Sequence, residues 1–145
     1  MPNIQINLLA VIIAVAANFF LGFIWYTPLF GRAWATGMGF DPDQKPAGAE
    51  MAKGMSFMIV GNFLLAWVLA HDMAVWDPET WGRGPSEMSA AVNAGMAAVF
   101  TWLGFFLPVD LGTVAWEKKS WKLFGINTGY HFVSLLVVAR ILAHR

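Results

Sequence analysis

Few side chains in this chain are placed to do chemistry outside its charged loops, and His131 is the most pointed of them. It lies in a run from Leu123 to Ala139 that holds no Asp, Glu, Lys or Arg. An imidazole exchanges a proton near neutral pH, and ionisable groups inside apolar segments are rare and expensive. Asn127, His131 and Ser134 are spaced i, i+4, i+7, which puts them on one face of a helix. Asn18 and Asn62 occupy similar places in two other apolar runs. These five residues form a candidate intramembrane polar site, with Thr101 and Thr128 as further polar groups at depth. His131 is nine residues past Lys122 and Asn62 nine past Lys53, each about 13 Å deep along a helix. One reading is a polar track or ligand site with His131 carrying a proton. The other is a set of interhelical hydrogen bonds, because an unpaired polar group in hydrocarbon costs several kcal/mol.

The remaining candidates carry less chemistry. His71 and His144 close two helices and invite a metal or haem reading, but Asp72 beside His71 is the only adjacent second ligand. Interfacial histidine is the simpler account. Asp110, just past Pro108, serves a proton path, a helix cap or a partner for Lys118 or Lys119. No cysteine is present, which excludes disulfides, thiolate catalysis, iron–sulfur clusters and Cys-based zinc sites. No Ser-His-Asp set, paired carboxylates or phosphate loop stands in a workable arrangement. The expectation is therefore no enzyme, no metal and no cofactor.

The elements that must position these groups are transmembrane helices. Hydrophobic residues make up 58% and charged residues 12%, against roughly 25% charged in globular proteins. Four uncharged runs, Met1–Gly31, Gly54–His71, Met88–Val109 and Leu123–Ala139, hold 31, 18, 22 and 17 residues. About 20 suffice to cross a bilayer. The fold class is thus an all-α membrane protein, one domain over residues 1–145, with spans at 6–26, 54–70, 89–107 and 123–142. Pro28 ends the first span by removing a backbone donor, and Pro108 loosens the end of the third. Asp41-Pro42-Asp43 makes a turn before a short polar helical lead, Ala47 to Lys53, into the second. Asp77-Pro78 and Gly82-Arg83-Gly84-Pro85 mark the loop before the third, with Ser86 as its N-cap. The fourth span offers only roughly −3 to −5 kcal/mol of insertion energy from its Leu, Ile, Val and Phe residues. Asn127, Thr128 and His131 erode that, so it inserts against its neighbours. Leu8 to Ala16 mimics a signal peptide but has no basic residue before it and no polar break after it; it reads as a retained helix.

Lys and Arg set the orientation. Arg32, Lys45 and Lys53 follow the first helix, and Lys118, Lys119 and Lys122 follow the third. Arg83, Arg140 and Arg145 lie on the other side, six against three. Both basic loops are expected in the cytoplasm and both termini outside. Trp25, Trp34, Trp116 and Trp121 then form the inner aromatic belt, with Trp76 and Trp81 on the outer side. The Lys118–Lys122 cluster faces anionic lipid or simply sets the topology, and Arg140 snorkels outward. The net charge of zero gives no reason to expect a nucleic-acid partner.

The two halves echo each other. Leu21-Gly22-Phe23, Leu29 and Ala33-Trp34 recur as Leu103-Gly104-Phe105, Leu111 and Ala115-Trp116 at an offset of 82; Ala66 to His71 recurs as Ala139 to His144 at 73. Two tandem helical hairpins related by a pseudo-two-fold axis along the membrane normal would produce this, and so would the ease with which apolar segments match. Ala10, Ala14, Asn18 and Gly22 make a small-residue stripe, as do Ala90, Ala94 and Ala98. Gly125 and Gly129 form a GxxxG, which fits contacts within one chain as well as oligomerisation.

Two stretches carry a family resemblance. Asn18-Phe19-Phe20-Leu21-Gly22-Phe23-Ile24-Trp25-Tyr26-Thr27-Pro28-Leu29-Phe30-Gly31-Arg32-Ala33-Trp34 is one; Trp121-Lys122-Leu123-Phe124-Gly125-Ile126-Asn127-Thr128-Gly129-Tyr130 with the helix after it is the other. Both resemble a bacterial membrane-protein family catalogued as domain of unknown function 1761. The resemblance implies four helices in the bacterial cytoplasmic (inner) membrane and no agreed activity, so it transfers no catalytic residues. A small residue usually stands in that family where Arg140 stands here.

Short loops and small-residue faces suit a non-enzymatic protein that works by packing in the lipid bilayer, as a homo-oligomer or as an accessory subunit of a larger membrane complex. The alternative is a small-solute or proton transporter or channel built on the polar face around His131. Topology is testable at once, since single cysteines meet no background. Positions 45 and 119 are expected to react only with membrane-permeant thiol reagents, and 79 and 145 also with impermeant ones; the reverse pattern would invert the orientation.

Overall fold

A backbone crossing hydrocarbon must satisfy its own N–H and C=O groups, and a helix does so within one segment. The computed structural model describes residues 2–144; Met1 and Arg145, the latter counted in the charge balance above, lie outside the described residues. Among the described residues there is no strand. Six α-helices follow one another: α1 (Leu8–Ile24), α2 (Gly31–Met38), α3 (Gly48–Trp76), α4 (Ala90–Thr101), α5 (Leu107–Ala115) and α6 (Trp121–Leu142). Two π-helical segments join α1 toward α2 and α4 to α5, at Trp25–Leu29 and Trp102–Phe106. A short 3₁₀ turn, Pro78–Trp81, follows α3. Four helical stretches are long and apolar enough to cross a membrane: Leu8–Leu29, Gly48–Trp76, Ala90–Ala115 and Trp121–Leu142.

Local chemistry explains the boundaries. Asn7 caps α1 by accepting from Ala10 N, and Ser120 caps α6 by accepting from Leu123 N. Ser89, not Ser86, caps α4, accepting from Val92 N at 3.3 Å. Ser86 is drawn off by Met88 N and by the Asn93 side chain, two and seven residues on. Asp41 turns the chain as expected, its carboxylate accepting from Asp43 N and its carbonyl from Gln44 N.

Neither proline ends its helix. An α-helical proline ring collides with the carbonyl four residues back, here Ile24 for Pro28 and Gly104 for Pro108. Ile24 leads into the first π segment and Gly104 lies inside the second. The wider turn carries the ring without breaking the rod; Phe30 N donates to Trp25 O, five residues back, at 2.9 Å. The first span thus reaches Leu29 and leads on into α2. The third runs past Leu107 to Ala115, which moves Asp110 from the membrane edge to the interior of a span.

α6 is the hub. It packs on α1, α2, α3, α4 and α5, and α1 and α4 pack on α6 rather than on each other. Of its most apolar stretch 44% is buried, against 11% for the span formed by α4 and α5. The least apolar helix is therefore the most enclosed. The apolar core occupies one half of the bundle, the half nearer the termini, where Val11, Ala14, Ala66, Ala98, Leu135 and Val138 are all fully buried. Alanines there let the helices approach closely. The other half, next to the lysine-bearing loops, is built from Trp, Tyr and Phe.

Gly31 measures the tightness of the first π turn. A Cβ there would lie 2.7 Å from the Tyr26 carbonyl oxygen, a backbone atom that has no rotamer to escape into. Gly31→Ala is expected to lower detergent melting stability by about 1–3 kcal/mol. Gly61→Ala, where a Cβ meets nothing within 4 Å, should stay near wild type. Equal effects of the two would discard this account of the turn.

Candidate functional site

The polar side chains of α6 fall on two flanks. Asn127, Tyr130 and Ser134 turn toward α1, while Thr128 and His131 turn toward the α4–α5 rod. The single face expected from the spacing Asn127, His131, Ser134 is therefore divided, because α6 lies between two partner helices and the i+4 member points to the second. Five candidate residues become three separate groups.

At mid-bundle, Asn18 Nδ2 donates to Asn62 Oδ1 at 2.8 Å, and Ser134 Oγ donates to Asn18 Oδ1 at 2.7 Å. Asn18, Asn62 and Ser134 are 1%, 6% and 3% exposed, so this knot ties α1, α3 and α6 together away from any solvent. Among the described residues, Asn62 Nδ2 and the Tyr130 hydroxyl are buried and meet no hydrogen-bond partner. The hydroxyl is pressed against Gly22, where a Cβ would stand 3.0 Å from it. The stripe Ala10, Ala14, Asn18, Gly22 is buried along its whole length as the sequence suggests; of Ala90, Ala94 and Ala98 the last two are buried.

Nearer the lysine-bearing loops, Tyr26 donates to Asn127 Oδ1 at 3.0 Å. Two tryptophans then clamp α6 by its backbone. Trp25 Nε1 donates to Ile126 O at 3.0 Å, and Trp102 Nε1 to Thr128 O at 3.0 Å and Thr128 Oγ1 at 3.1 Å. Each tryptophan opens a π segment, so the same widening that holds a proline directs an indole inward. Trp25 is consequently half-buried rather than a belt residue. Gly129 leaves room for it, a Cβ there lying 3.4 Å from the Trp25 ring, while Gly125, the other half of the GxxxG, faces open space.

The third group pairs α5 with α6. His131 Nδ1 lies 2.8 Å from Asp110 Oδ2, with the side chains 29% and 9% exposed. Phe106 and Tyr130 flank the imidazole, ring centroids 4.8 and 5.8 Å away. Asp110 therefore meets His131, not Lys118 or Lys119. Lys118 reaches the Ala115 carbonyl. Asp110 was outside the sequence-derived site because Pro108 marked a helix end; the continuing helix is what brings it in. The signal available was one carboxylate bordering the third uncharged run, 21 residues before the one histidine in the middle of the fourth.

The other histidines sit at helix ends. His71 Nδ1 is 2.8 Å from Trp67 O, and His144 approaches Arg140. Among the described residues no three His, Cys, Asp or Glu side chains are grouped to hold a metal. A crevice of about 380 Å³ lies at the terminus side, lined by Asn3, Gln5, Ile6, Asn7, Glu79 and Thr80. None of its lining residues belongs to the three polar groups above.

Four apolar helices around a hydrogen-bonded interior define an integral membrane protein of the helical-bundle class. The chain belongs to the family described as protein of unknown function (DUF1761), whose model matches residues 9–143. No curated protein and no solved structure matches it.

Asn18 holds two bonds and both its partners are buried, whereas Asn127 holds one at a half-buried position. Asn18→Ala is expected to destabilise the bundle by about 1–3 kcal/mol and Asn127→Ala by about 0.6–1 kcal/mol, in the range of hydrogen bonds between membrane helices. Detergent melting with a coupled Asn18/Ser134 double-mutant cycle measures both; additive losses in the cycle would remove the knot.

Proposed function

We propose that this chain is a non-enzymatic packing protein of the membrane, acting as a homo-oligomer or as an accessory subunit of a larger membrane complex. The observation that carries the reading is the mid-bundle knot: the buried amides and hydroxyl of Asn18, Asn62 and Ser134 bond one another, not an open cavity. Their chemistry is spent on holding helices. The outward faces favour lateral contact. On α3, Gly54 and Gly61 are seven residues apart on an exposed face, and a Cβ at either meets nothing within 4 Å. Exposed glycines in a membrane helix suit close approach of another helix.

The alternative, transport of protons or a small solute around His131, draws support from the Asp110–His131 pair but less from the terminus-side half, where buried alanine, valine and leucine fill the interior. The tandem-repeat reading also stays a proposal. Both halves run α, π, α, and Asn62, Ala66 and Leu69 are buried as are Leu135, Ala139 and Leu142, at the offset of 73. The π segments begin at Trp25 and Trp102, 77 positions apart, so the echo at 82 does not line up with these backbone landmarks. The inner-membrane location, with both termini outside, is proposed on the lysine bias and the family.

Native mass spectrometry in mild detergent tests the packing reading. A multiple of the chain mass, or a co-purifying membrane subunit, is expected. For a homo-oligomer, Gly61→Leu should yield monomers with unchanged melting, because the side chain has free space in the single chain. A lone monomer under gentle extraction from its native membrane, with no second protein, would end the proposal.

A further inference from the structure

Among the described residues, Asp110 and His131 make the one carboxylate–imidazole contact inside the bundle, and the packing role does not need it. Two hydrophobic side chains would join α5 to α6 without the expense of burying charge. Its geometry is specific. A carboxylate only accepts, so the Nδ1 facing Asp110 Oδ2 carries a hydrogen and donates it. That leaves Nε2 as the ring atom that gains or loses a proton, on a side chain still 29% exposed. Among the described residues no protein group bonds Nε2. Burial sets the preferred charge. With Nε2 protonated the pair is neutral overall; without it one net negative charge is left in a mostly apolar interior, which is costly.

The surroundings define who shares the proton and where it travels. From the first π segment comes Tyr26, its ring centroid 5.0 Å from that of Tyr130, and from α6 comes Tyr130 against the imidazole. α1 and α4 contain no charged residue, and those of α3, Glu50, Lys53 and Asp72, are exposed near its ends. α2 offers only Arg32, which is held by Asp43 at 2.9 Å. On the terminus side the interior is closed by Val11, Ala14, Ala66, Leu135, Val138 and Ala139, none more than 2% exposed. Toward that closed core the last polar group is the Asn18–Asn62–Ser134 knot, bonded within itself; toward the lysine-bearing loops polar groups continue through Tyr26 and Asn127.

We propose that Asp110 and His131 form a one-proton binding site that latches α5 to α6 and exchanges with the lysine-bearing side alone. The site is a sensor of proton activity on that side and not a conduit across the membrane. Proton loss leaves the buried negative charge and loosens the α5–α6 contact, so stability is greatest with the proton bound and falls as pH rises through the release step.

The full-length protein is tested in lipid nanodiscs, in a His71→Gln/His144→Gln background that removes the other imidazoles. Melting temperature is followed from pH 5 to 9 for this protein and for Asp110→Asn, His131→Gln and the double variant. The parent should lose on the order of 5 °C in one step; the double variant, whose Asn and Gln still hydrogen-bond, should be flat. A step of the same size in the double variant would overturn the site. If that variant does not fold, infrared difference spectra of the parent replace it. One coupled change of carboxyl and imidazole bands supports the site, and an imidazole change alone refutes it. Proteoliposomes with an enclosed pH dye and valinomycin under a potassium gradient test closure. No sustained proton flux above empty liposomes is expected, whereas a flux lost in Asp110→Asn would overturn the one-sided site and favour transport. Neither result bears on oligomeric mass, so the packing reading stands or falls separately.

Discussion

Hydrocarbon offers no hydrogen-bond partner, and the placement of α6 follows from that constraint. Its Asn127, Thr128, Tyr130, His131 and Ser134 make it the poorest lipid-facing helix of the four spans. Exposed to acyl chains, each group would cost several kcal/mol; enclosed by α1, α3, α4 and α5, all but the Tyr130 hydroxyl find a partner. The helix with the lowest apolar content is accordingly the central one. α1, α3, α4 and α5 carry the burden of lipid contact, with Phe20, Phe57, Phe100 and Val109 outward. The bundle is thus ordered by polarity from the inside out, the reverse of a soluble domain.

Much of this was legible from residue types. Four uncharged runs of sufficient length leave no fold other than helices or a barrel, and helix-length continuity excludes the barrel. That the fourth span needs its neighbours followed from its weak insertion energy, and the burial of Asn18, Asn62 and Ser134 from the same reasoning. What the sequence concealed was backbone geometry. Pro28 and Pro108 read as stops because an α-helix cannot hold them, yet a π turn can. The change is small in hydrogen-bond pattern and large in consequence, since it extends two helices and brings Asp110 into a span. It also rotates the residues after it, so periodicity at 3.6 residues no longer assigns their faces.

Partner choice on α6 was hidden for a related reason. Spacing fixes angles around one axis but not where the neighbours stand. Residues 127, 131 and 134 fall within one angular sector, and one sector is wide enough to meet two helices. Only the position of α1 on one side and α5 on the other separates Asn127 and Ser134 from His131.

The two halves of the bundle then follow from side-chain size. Alanine on α1, α3 and α4 draws the terminus-side half tight around an apolar core. Trp25 and Trp102 fill the other half while bonding α6 carbonyls, whose second lone pair is free even when the helix ladder is complete. There the aromatic rings surround the Asp110–His131 pair. The Asn18–Asn62–Ser134 knot sits at the boundary and fixes the axial position of α1 and α3 on α6. Slipping α6 by one turn would break that knot, both indole clamps and the Asp110–His131 contact together. The register of the central helix is therefore over-determined.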